Sequence, residues 1–483
     1  MSRYALTAKE IRRRELMRII ENGDFNKDKM SEVRTKYADC SDIILSKSDR
    51  ICMHNPLRNN NICVFGCAGS RKTSSYVIPN ILQCCTKNPY MPSLVINDGN
   101  GELLSITGKA LEESGYKIKV LNLLDPNNSW HFNPFHYVQD ENNVVHIHTI
   151  STTIASSGGF DEEIESRILL LLDVLIGMVC EEFEAESLYR VRKKAEEFRT
   201  LADAHSLSLL KNVDIIVQAR YRLWDEESYK KYSYVYYSWK QLLRSIDGDD
   251  DFFRFLFLKT EELLSIYEEP EIKTLLSDDE FSLEKISHEK TAIFVLYPRG
   301  YDRYNVIANL FYEFLIEQLK HDVVHARNTV SVKFFLEDFC SLGRIRNLKT
   351  LMRLNTVSRS KIDVSIIMGS IRQMQVLYGI NTGEIISLCD IMLCFGVRSN
   401  DIETCKAVSE FGRGDYSGFG FVPLVYAPEV LNLKKDELWV CVHGIDILKA
   451  KKFFCEKHKN YKLTATYDKT RKYHYRAPSN KRE

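Results

Sequence analysis

Short apolar runs bounded by turn residues alternate with helix-patterned segments near the start of the chain. Three of the runs are predicted to be strands, at residues 61–65, 93–98 and 116–124. Two helix-patterned segments, residues 71–84 and 102–115, lie between them. The order strand, helix, strand, helix, strand is typical of a parallel sheet in an α/β fold.

Five more apolar runs in the last part of the chain are predicted to be strands, at residues 290–297, 331–338, 363–370, 391–396 and 438–444. A helix fits between most of them. We therefore predict one sheet domain assembled from two sequence pieces, residues 46–157 and 288–448.

The intervening residues, 158–287, differ because nearly all of them are helix-patterned and rich in Glu, Lys, Leu and Tyr. The clearest helices are residues 162–183 and 250–267. Helices of this length bury a core of their own, so we predict an all-α domain inserted between the two pieces of the sheet. The first residues, 1–45, are predicted to form a polar helical arm.

The length and composition favour a multidomain cytoplasmic protein. The chain has 483 residues, too many for one ordinary hydrophobic core. Its longest apolar stretch, Ile168–Cys180, is interrupted by Asp173 and Gly177 and is too short to span a bilayer. The first residues lack the apolar core of a signal peptide. The 13 cysteines show no C-x-x-C spacing, which indicates reduced thiols rather than a zinc site.

Charge is unevenly distributed, although the net charge of the whole chain is zero. Residues 449–483 form a basic tail with 12 Lys and Arg against 3 Asp and Glu. Six aromatic residues lie among these charges: Phe453, Phe454, Tyr461, Tyr467, Tyr473 and Tyr475. Basic side chains with interleaved aromatics bind phosphates and stack on bases, so the tail is a candidate nucleic-acid interface. The alternative is a solvated, partly disordered end of the chain.

The stretch "CVFGCAGSRKTSSYVIPN", residues 63–80, has the layout of a phosphate-binding P-loop, G-x-x-x-x-G-K-[ST], between a strand and a helix. Backbone N–H groups of such a loop bind phosphates. Lys72 is predicted to contact the β and γ phosphates and the hydroxyl of Thr73 to bind Mg²⁺. The residues expected to bind nucleotide here are Gly66, Gly69, Ser70, Arg71, Lys72 and Thr73.

The second glycine of the motif is replaced by Arg71. A glycine lets the loop wrap closely because it has no side chain. The arginine either clashes or reaches a phosphate and partly compensates. The alternative for the whole stretch is a strand-to-helix turn without a ligand.

Two carboxylates end the predicted strand in "FFLEDFCSLG", residues 334–343. A nucleoside triphosphatase needs acids at this place, one for Mg²⁺ and one to orient the attacking water. Glu337 is predicted to serve the metal and Asp338 the water, since neighbouring strand residues face opposite ways. The alternative is an acidic pair in an exposed turn.

These segments resemble the VirD4/TraG family of type IV coupling proteins. The likeness is carried in order by "NICVFGCAGSRKTSSYVIPNIL", "SLVINDGNGELL", "GYKIKVLNLLDPNNSWHFNPF", "LEDFCSLGRIRNL" and the late stretch "QMQVLYGINTGEIISLCDIMLCFGVRSNDIETCKAVSEFGRG". No single motif is decisive, but the order and spacing of all of them are hard to obtain by chance.

The resemblance implies hexameric ATPases that deliver DNA and protein to conjugation and type IV secretion channels. It implies a RecA/FtsK-HerA-like P-loop NTPase fold with the all-α domain inserted, and ATP and Mg²⁺ as cofactors. Expected partners are single-stranded DNA, a relaxase or other secreted protein, channel components and further copies of the chain. Through these partners the protein would associate with the inner face of the cell membrane. Asp98, on the family's D-P-K-G-E motif, joins the expected nucleotide site, and Arg359 is the candidate catalytic arginine.

Several residues depart from the family pattern at the expected active site. Besides Arg71, Gly99 and Asn100 replace a proline and a lysine, and Gly369 stands where a glutamine often closes the next strand. The acidic pair is inverted. We therefore expect nucleotide binding with slow hydrolysis. Two alternatives stay open: a pseudo-ATPase adaptor of the same fold, and a cytoplasmic DNA pump unrelated to secretion.

Overall fold

The structure is a computed structural model, and it describes residues 42–52, 59–88, 91–138, 143–182, 188–204, 214, 233–300, 302–325, 330–357, 362–412, 414–417, 420–423, 425–443 and 447–478. The chain divides into two compact units. Unit 1 comprises the described residues within Met1–Val120, Glu284–Gly300 and Gln318–Tyr475. Unit 2 comprises those within Leu121–Leu283, Tyr301–Glu317 and Arg476–Glu483.

The strands are β1 (Asp42–Ile44), β2 (Arg50–Cys52), β3 (Ile62–Phe65), β4 (Ser93–Gly99), β5 (Lys117–Asn122), β6 (Thr291–Tyr297), β7 (Val332–Leu336), β8 (Ile362–Met368), β9 (Ile391–Cys394), β10 (Gly414–Ser417), β11 (Gly420–Pro423), β12 (Glu437–Val442) and β13 (Leu448–Lys451).

The helices are α1 (Ile78–Cys84), α2 (Glu102–Glu113), α3 (Asn143–Ser156), α4 (Glu162–Glu182), α5 (Leu188–Ala204), α6 (Ser233–Ile246), α7 (Asp250–Leu264), α8 (Pro270–Leu275), α9 (Asn305–Val324), α10 (Leu348–Val357), α11 (Ile371–Tyr378), α12 (Thr382–Ser387), α13 (Ile402–Phe411) and α14 (Ala427–Leu431). A π-helical turn, Thr73–Val77, leads directly into α1.

A nine-stranded sheet, counted over the described residues, has the order β13-β12-β9-β3-β8-β7-β4-β6-β5. Strands β3, β4, β6, β7, β8 and β9 pair in parallel, whereas β12 runs antiparallel to β9 and β13. The sheet therefore draws strands from both sides of the helical segment. The predicted fold class, a parallel-rich P-loop sheet flanked by helices with an all-α insertion, is confirmed.

The central strands are buried along their whole length because helices cover both faces of a parallel sheet. The residues of β3 and β8 are all buried, including Asp363 and Ser365 among the apolar residues of β8. Phe65, the last residue of β3, pairs with Met368 of β8 and with Cys394 of β9. The loops that follow these strands consequently meet at one edge of the sheet, where ligands of open α/β folds bind.

Within unit 2, the apolar face of α4 is the centre of the helical core. Helices α3, α6 and α7 pack against it. Trp239 on α6 packs edge-on against Phe253 on α7, with ring centroids 5.9 Å apart. The first α-helix of unit 2, α3, begins at Asn143. This is before residue 158, the predicted start of the all-α domain. The boundaries 158–287 stay a prediction.

The predicted helical arm, residues 1–45, lies largely outside the described residues. Its last part is not helical, because Asp42–Ile44 is strand β1, which pairs antiparallel with β2. The arm was therefore predicted too long at this end. The side chain of Asn80 holds the end of this strand. Its Oδ1 accepts the N–H of Ile44 at 2.8 Å, and its Nδ2 donates to the carbonyl of Ile44 at 3.0 Å.

The described part of the basic tail packs against unit 1 through most of its aromatic residues, while most of its lysines are exposed. Phe453 and Cys455 are buried. Tyr461, Leu463, Tyr473 and Tyr475 pack against the core of unit 1. The alternative of a solvated, partly disordered end does not describe these packed residues. Most of the tail aromatics serve packing, although Tyr467 is 66% exposed.

In the part of the chain that the structure describes, every helix is too short or too polar to cross a bilayer.

Candidate nucleotide site

The loop between β3 and the π-helical turn folds around the side chain of Lys72. Lys72 is buried, and its ammonium donates hydrogen bonds to the carbonyl oxygens of Gly66 and Cys67, the latter at 3.4 Å. Burial lowers the pKa of Lys72, and the nearby Glu337 and Asp338 oppose this shift. The ammonium thus lies inside the loop, hydrogen-bonded to two of the loop's own carbonyl oxygens.

Two positions of the loop have left-handed backbone. The φ angles are 79° at Gly69 and 71° at Arg71. Such a φ favours glycine, which explains why the motif has glycine at the position that Arg71 occupies. The guanidinium carbon of Arg71 lies 5.2 Å from the ring centroid of Phe454. Its side chain therefore stacks on the C-terminal segment.

Gly66 is required by close packing of the loop on itself. A Cβ atom at Gly66 would lie 2.4 Å from Oγ of Ser70 and 3.2 Å from Cδ of Lys72. The hydroxyl of Ser70 is buried and has no hydrogen-bond partner among the described residues. An unpaired buried hydroxyl costs free energy, and a ligand oxygen at the loop would remove that cost.

The hydroxyl of Thr73 donates a hydrogen bond of 2.5 Å to Oε1 of Glu337. Glu337 is 3% exposed. Its second oxygen, Oε2, has no hydrogen-bond partner within the described part of the chain. Burial raises the pKa of Glu337 to about 7, and the bond from Thr73 opposes the shift. A hydroxyl and a carboxylate with a free oxygen are ligands that suit Mg²⁺.

Asp338 faces a different environment from its neighbour. Its backbone is left-handed, with φ 46°. Its carboxylate pairs with the guanidinium of Arg299, Nη2 to Oδ2 at 2.9 Å, and is 31% exposed. The hydroxyl of Tyr297 donates to the backbone carbonyl of Glu337 at 3.0 Å and so fixes the turn that separates the two acids.

Sequence reasoning missed Arg299, which follows β6. A Cβ atom on Gly99 would lie 2.4 Å from Nε of Arg299, so glycine at this position makes room for the arginine. Gly99 stands where the family's motif has a proline, and the side chain of Arg299 that lies against it pairs with Asp338. The signal that could have identified Arg299 is its position just after β6, a strand that pairs with β4.

Asp98 is placed at a helix rather than at the loop. Its two carboxylate oxygens accept hydrogen bonds from the N–H groups of Leu103 and Leu104, at 3.0 and 2.7 Å. These are orphan donors of the first turn of α2, which a carboxylate satisfies well. Burial raises the pKa of Asp98 to about 6. Its observed role is to hold α2 against β4.

Arg359, the candidate catalytic arginine, lies outside the described residues. Two other arginines, Arg372 and Arg398, line a cavity of about 540 Å³ beside the loop. The further lining residues are Cys67, Ala68, Gly369, Ser370, Gln373, Asn400, Asp401, Ile402 and Glu403. The cavity borders the loop at Cys67 and Ala68.

The backbone at the end of β8 is capped by the side chain of Gln373 on α11. Oε1 of Gln373 accepts hydrogen bonds from the N–H groups of Gly369 and Ser370, at 3.0 and 3.3 Å. A Cβ atom on Gly369 would lie only 2.8 Å from this oxygen. The glycine thus permits a glutamine side chain from α11 to fold back over the end of β8.

The arrangement suits a nucleoside triphosphate with Mg²⁺. Lys72, Thr73 and Glu337 converge at one edge of the sheet, with unpaired buried oxygens on Ser70 and Glu337. Among the described residues, no three His, Cys, Asp or Glu side chains form a metal cluster.

Comparison with solved structures supports the fold. The chain is similar to the bacterial conjugative coupling protein TrwBdeltaN70 in its unbound form, with 15% identity over 89% of this chain and 93% of that chain and a TM-score of 0.56. It is similar to plasmid coupling protein TrwB in complex with ADP and Mg²⁺, with 14% identity, coverage of 89% and 92% and a TM-score of 0.58. For TrwB in complex with the ATP analogue ADPNP, the identity is 14% over 89% of this chain and 94% of that chain, and the TM-score is 0.56.

A search of the curated proteins finds no match. The family model for type IV secretory system conjugative DNA transfer matches residues 17–220 and 256–413, which include the loop, the acidic pair and the strands that carry them. The predicted resemblance is confirmed, and the chain belongs to the family of type IV secretory system conjugative DNA transfer proteins.

Proposed function

We propose that this chain is a coupling-protein ATPase that binds ATP and Mg²⁺ at the loop and recruits and moves single-stranded DNA with its relaxase during conjugative transfer. The observation that supports this proposal most strongly is the 2.5 Å hydrogen bond between Thr73 and Glu337, which joins the loop to the acidic residues that follow β7. The TrwB structures with ADP–Mg²⁺ and with an ATP analogue have the same fold.

Each residue has a distinct role in this proposal. Lys72 exchanges its carbonyl partners for the β and γ phosphates. Thr73 and Glu337 would hold Mg²⁺, which when bound would supply positive charge beside the phosphates. Asp338 orients the attacking water once it is released from Arg299. Because one methylene separates Asp from Glu and a small displacement costs about 100-fold in rate, hydrolysis is expected to be slow.

The proposed partners follow from the family. They are single-stranded DNA, a relaxase or other secreted protein and the components of a type IV secretion channel, with a homo-hexamer as the working form. Such a protein would work in the cytoplasm, associating with the inner face of the cell membrane through these partners. In a hexamer Arg359 would act on the nucleotide of a neighbouring copy.

DNA binding is proposed for the exposed lysines of the basic tail, since most of its aromatics are packed. Five of them are Lys457, Lys459, Lys462, Lys469 and Lys472. Replacing all five with Gln should weaken binding of single-stranded DNA and reduce the slope of log affinity against log salt by about 0.7 per lost phosphate contact. An unchanged slope would exclude the tail as a DNA-binding surface.

ATP turnover with and without single-stranded DNA tests the enzymatic part. We expect DNA to stimulate a slow basal rate, and exchanging the acids, Glu337→Asp with Asp338→Glu, to raise it. The second candidate, a pseudo-ATPase adaptor, is favoured by the ion pair that holds Asp338 on Arg299. ATP binding without turnover in any DNA condition, even in the exchanged variant, would support the adaptor instead.

A further inference from the structure

The C-terminal segment contacts the phosphate-binding loop through a buried lysine. Lys452 is 4% exposed. Its ammonium donates to the backbone carbonyls of Ser70, Phe395 and Lys435, at 3.1, 2.9 and 3.0 Å. An ammonium has three N–H donors, so these three acceptors satisfy it fully. Lys452 therefore ties the loop to residues that follow β9 and precede β12.

A second contact lies one residue further along the loop. The guanidinium of Arg71 stacks on the ring of Phe454, 5.2 Å from its centroid. Arg71 has left-handed backbone, which is strained for any residue with a side chain. Such strain persists only where the surroundings hold the residue in place. The C-terminal segment supplies that hold.

The same segment also contacts the far end of α1. The amide of Asn460 donates to the carbonyls of Leu82 and Cys85, at 3.0 and 3.1 Å. These carbonyls belong to the C-terminal turn of the helix, where intrahelical partners run out. Residues 452–460 thus hold both the loop and the end of the helix that follows it.

We propose that residues 452–460 form a C-terminal brace that keeps the phosphate-binding loop in its binding conformation, with Lys452 as the positioning residue. The inference rests on the proposed binding of ATP at that loop. In a trans peptide the C=O and the following N–H point in opposite directions. By holding the carbonyl of Ser70, Lys452 turns the N–H of Arg71 the other way and keeps that carbonyl from facing a phosphate.

A matched pair of variants tests the brace. Lys452→Met removes the ammonium but keeps an apolar chain of similar length. Lys451→Met is the control, since Lys451 is an exposed neighbour whose ammonium pairs with Asp436 at 2.8 Å. Titration with a fluorescent methylanthraniloyl ATP analogue and Mg²⁺ should show affinity weakened by about tenfold or more in Lys452→Met. The control should stay within about twofold of the unmodified protein.

Hydrogen–deuterium exchange of residues 66–77 without nucleotide gives a readout that does not depend on ATP binding. Exchange should be faster in Lys452→Met than in Lys451→Met. Equal exchange and equal affinity in the two variants would overturn the brace. If the unmodified protein binds no ATP analogue, the proposed function fails, and the exchange comparison still decides the inference.

A third measurement uses the unmodified chain and serves if Lys452→Met does not fold. Linkage between two sites is reciprocal, so a loop held by the brace must in turn hold the brace. Adding ATP and Mg²⁺ should slow exchange in residues 452–460. Exchange there that is the same with and without ATP, while the loop itself becomes protected, would contradict the proposal.

Discussion

Thr73 and Glu337, 264 positions apart in the chain, are joined by a 2.5 Å hydrogen bond between the threonine hydroxyl and Oε1 of the glutamate. The contact brings the end of the loop to the end of β7, with β8 between β7 and β3 in the sheet. It buries a carboxylate whose second oxygen has no hydrogen-bond partner among the described residues. A buried carboxylate with an unpaired oxygen costs free energy of folding.

Glu337→Gln should therefore stabilise the folded protein and remove the effect of Mg²⁺ on ATP binding. Burial raises the pKa of Glu337 to about 7, so its ionised form penalises the folded state above pH 7, and the penalty is relieved as pH falls towards the ordinary value. At pH 8 the variant should be more stable by about 1–3 kcal/mol in urea unfolding. Mg²⁺ should no longer tighten ATP binding. A variant that is less stable and still responds to Mg²⁺ would show that the buried carboxylate was misassigned.

Replacements of Arg71 should rank by backbone conformation. At φ 71°, a residue with a side chain costs about 1 kcal/mol more than glycine. Arg71→Ala keeps that cost and loses the contact with Phe454, so it should be the least stable of the three proteins. Arg71→Gly should exceed Arg71→Ala by about 1 kcal/mol in denaturant unfolding. Equal stabilities of the two variants would argue against a strained loop.

Gly99 and Arg299 should behave as a coupled pair. Gly99→Ala places a methyl group within 2.4 Å of Nε of Arg299 and should cost about 1–3 kcal/mol of stability. In an Arg299→Ala background the same change should cost much less, because the clashing side chain is absent. A double-mutant cycle measures this coupling directly. Additive losses would mean that Gly99 is needed for another reason.

His458 should make stability depend on pH. Its Nδ1 accepts the N–H of Asn460 at 3.1 Å, and its Nε2 donates to Oε1 of Gln83 at 2.9 Å, an arrangement that requires neutral imidazole. Burial lowers the pKa of His458 to about 4. Between pH 6.5 and 4 the unfolded chain takes up a proton that the folded chain does not, so this contribution to stability is lost as pH falls.

His458→Gln removes that titration and keeps a side chain that donates to Gln83. The stability difference between the variant and the unmodified protein should shift by about 1–3 kcal/mol in favour of the variant from pH 7 to pH 4.5. Carboxylates such as Asp98 titrate in the same range with the opposite sign, so the difference between the two proteins is the quantity to measure. If this stability difference does not change with pH, His458 takes up a proton as readily in the folded protein as in the unfolded chain, and the account of its burial is wrong.

The sheet was predictable because its strands are mostly apolar runs bounded by turn residues and its loop carries a spaced motif. Lys72, Thr73 and Glu337 were placed correctly at one edge, since carboxyl ends of parallel strands meet there. Asp98 was assigned to the nucleotide site by its motif, which stays a prediction, and its carboxylate accepts two N–H groups of the first turn of α2. Local sequence does not distinguish a capping carboxylate from a ligand.

The contacts of the tail and of Arg299 were not predictable from local patterns. Composition shows only that the tail is basic and contains aromatic residues. It does not show that Lys452 is buried and donates hydrogen bonds to three carbonyl groups of distant residues. Arg299 enters the site because a glycine on a neighbouring strand leaves space. Both relationships are set by tertiary packing between segments far apart in the chain.

The most direct test of the central claim is a calorimetric titration of the purified protein with ATP in the presence and absence of Mg²⁺, with Lys72→Ala as the matched variant. We predict binding that Mg²⁺ tightens, and loss of binding by about 100-fold or more in Lys72→Ala, because the charged hydrogen bonds to phosphate are removed. Absence of binding to the unmodified protein at millimolar ATP, or unchanged binding to a folded Lys72→Ala variant, would contradict a nucleotide site at this loop.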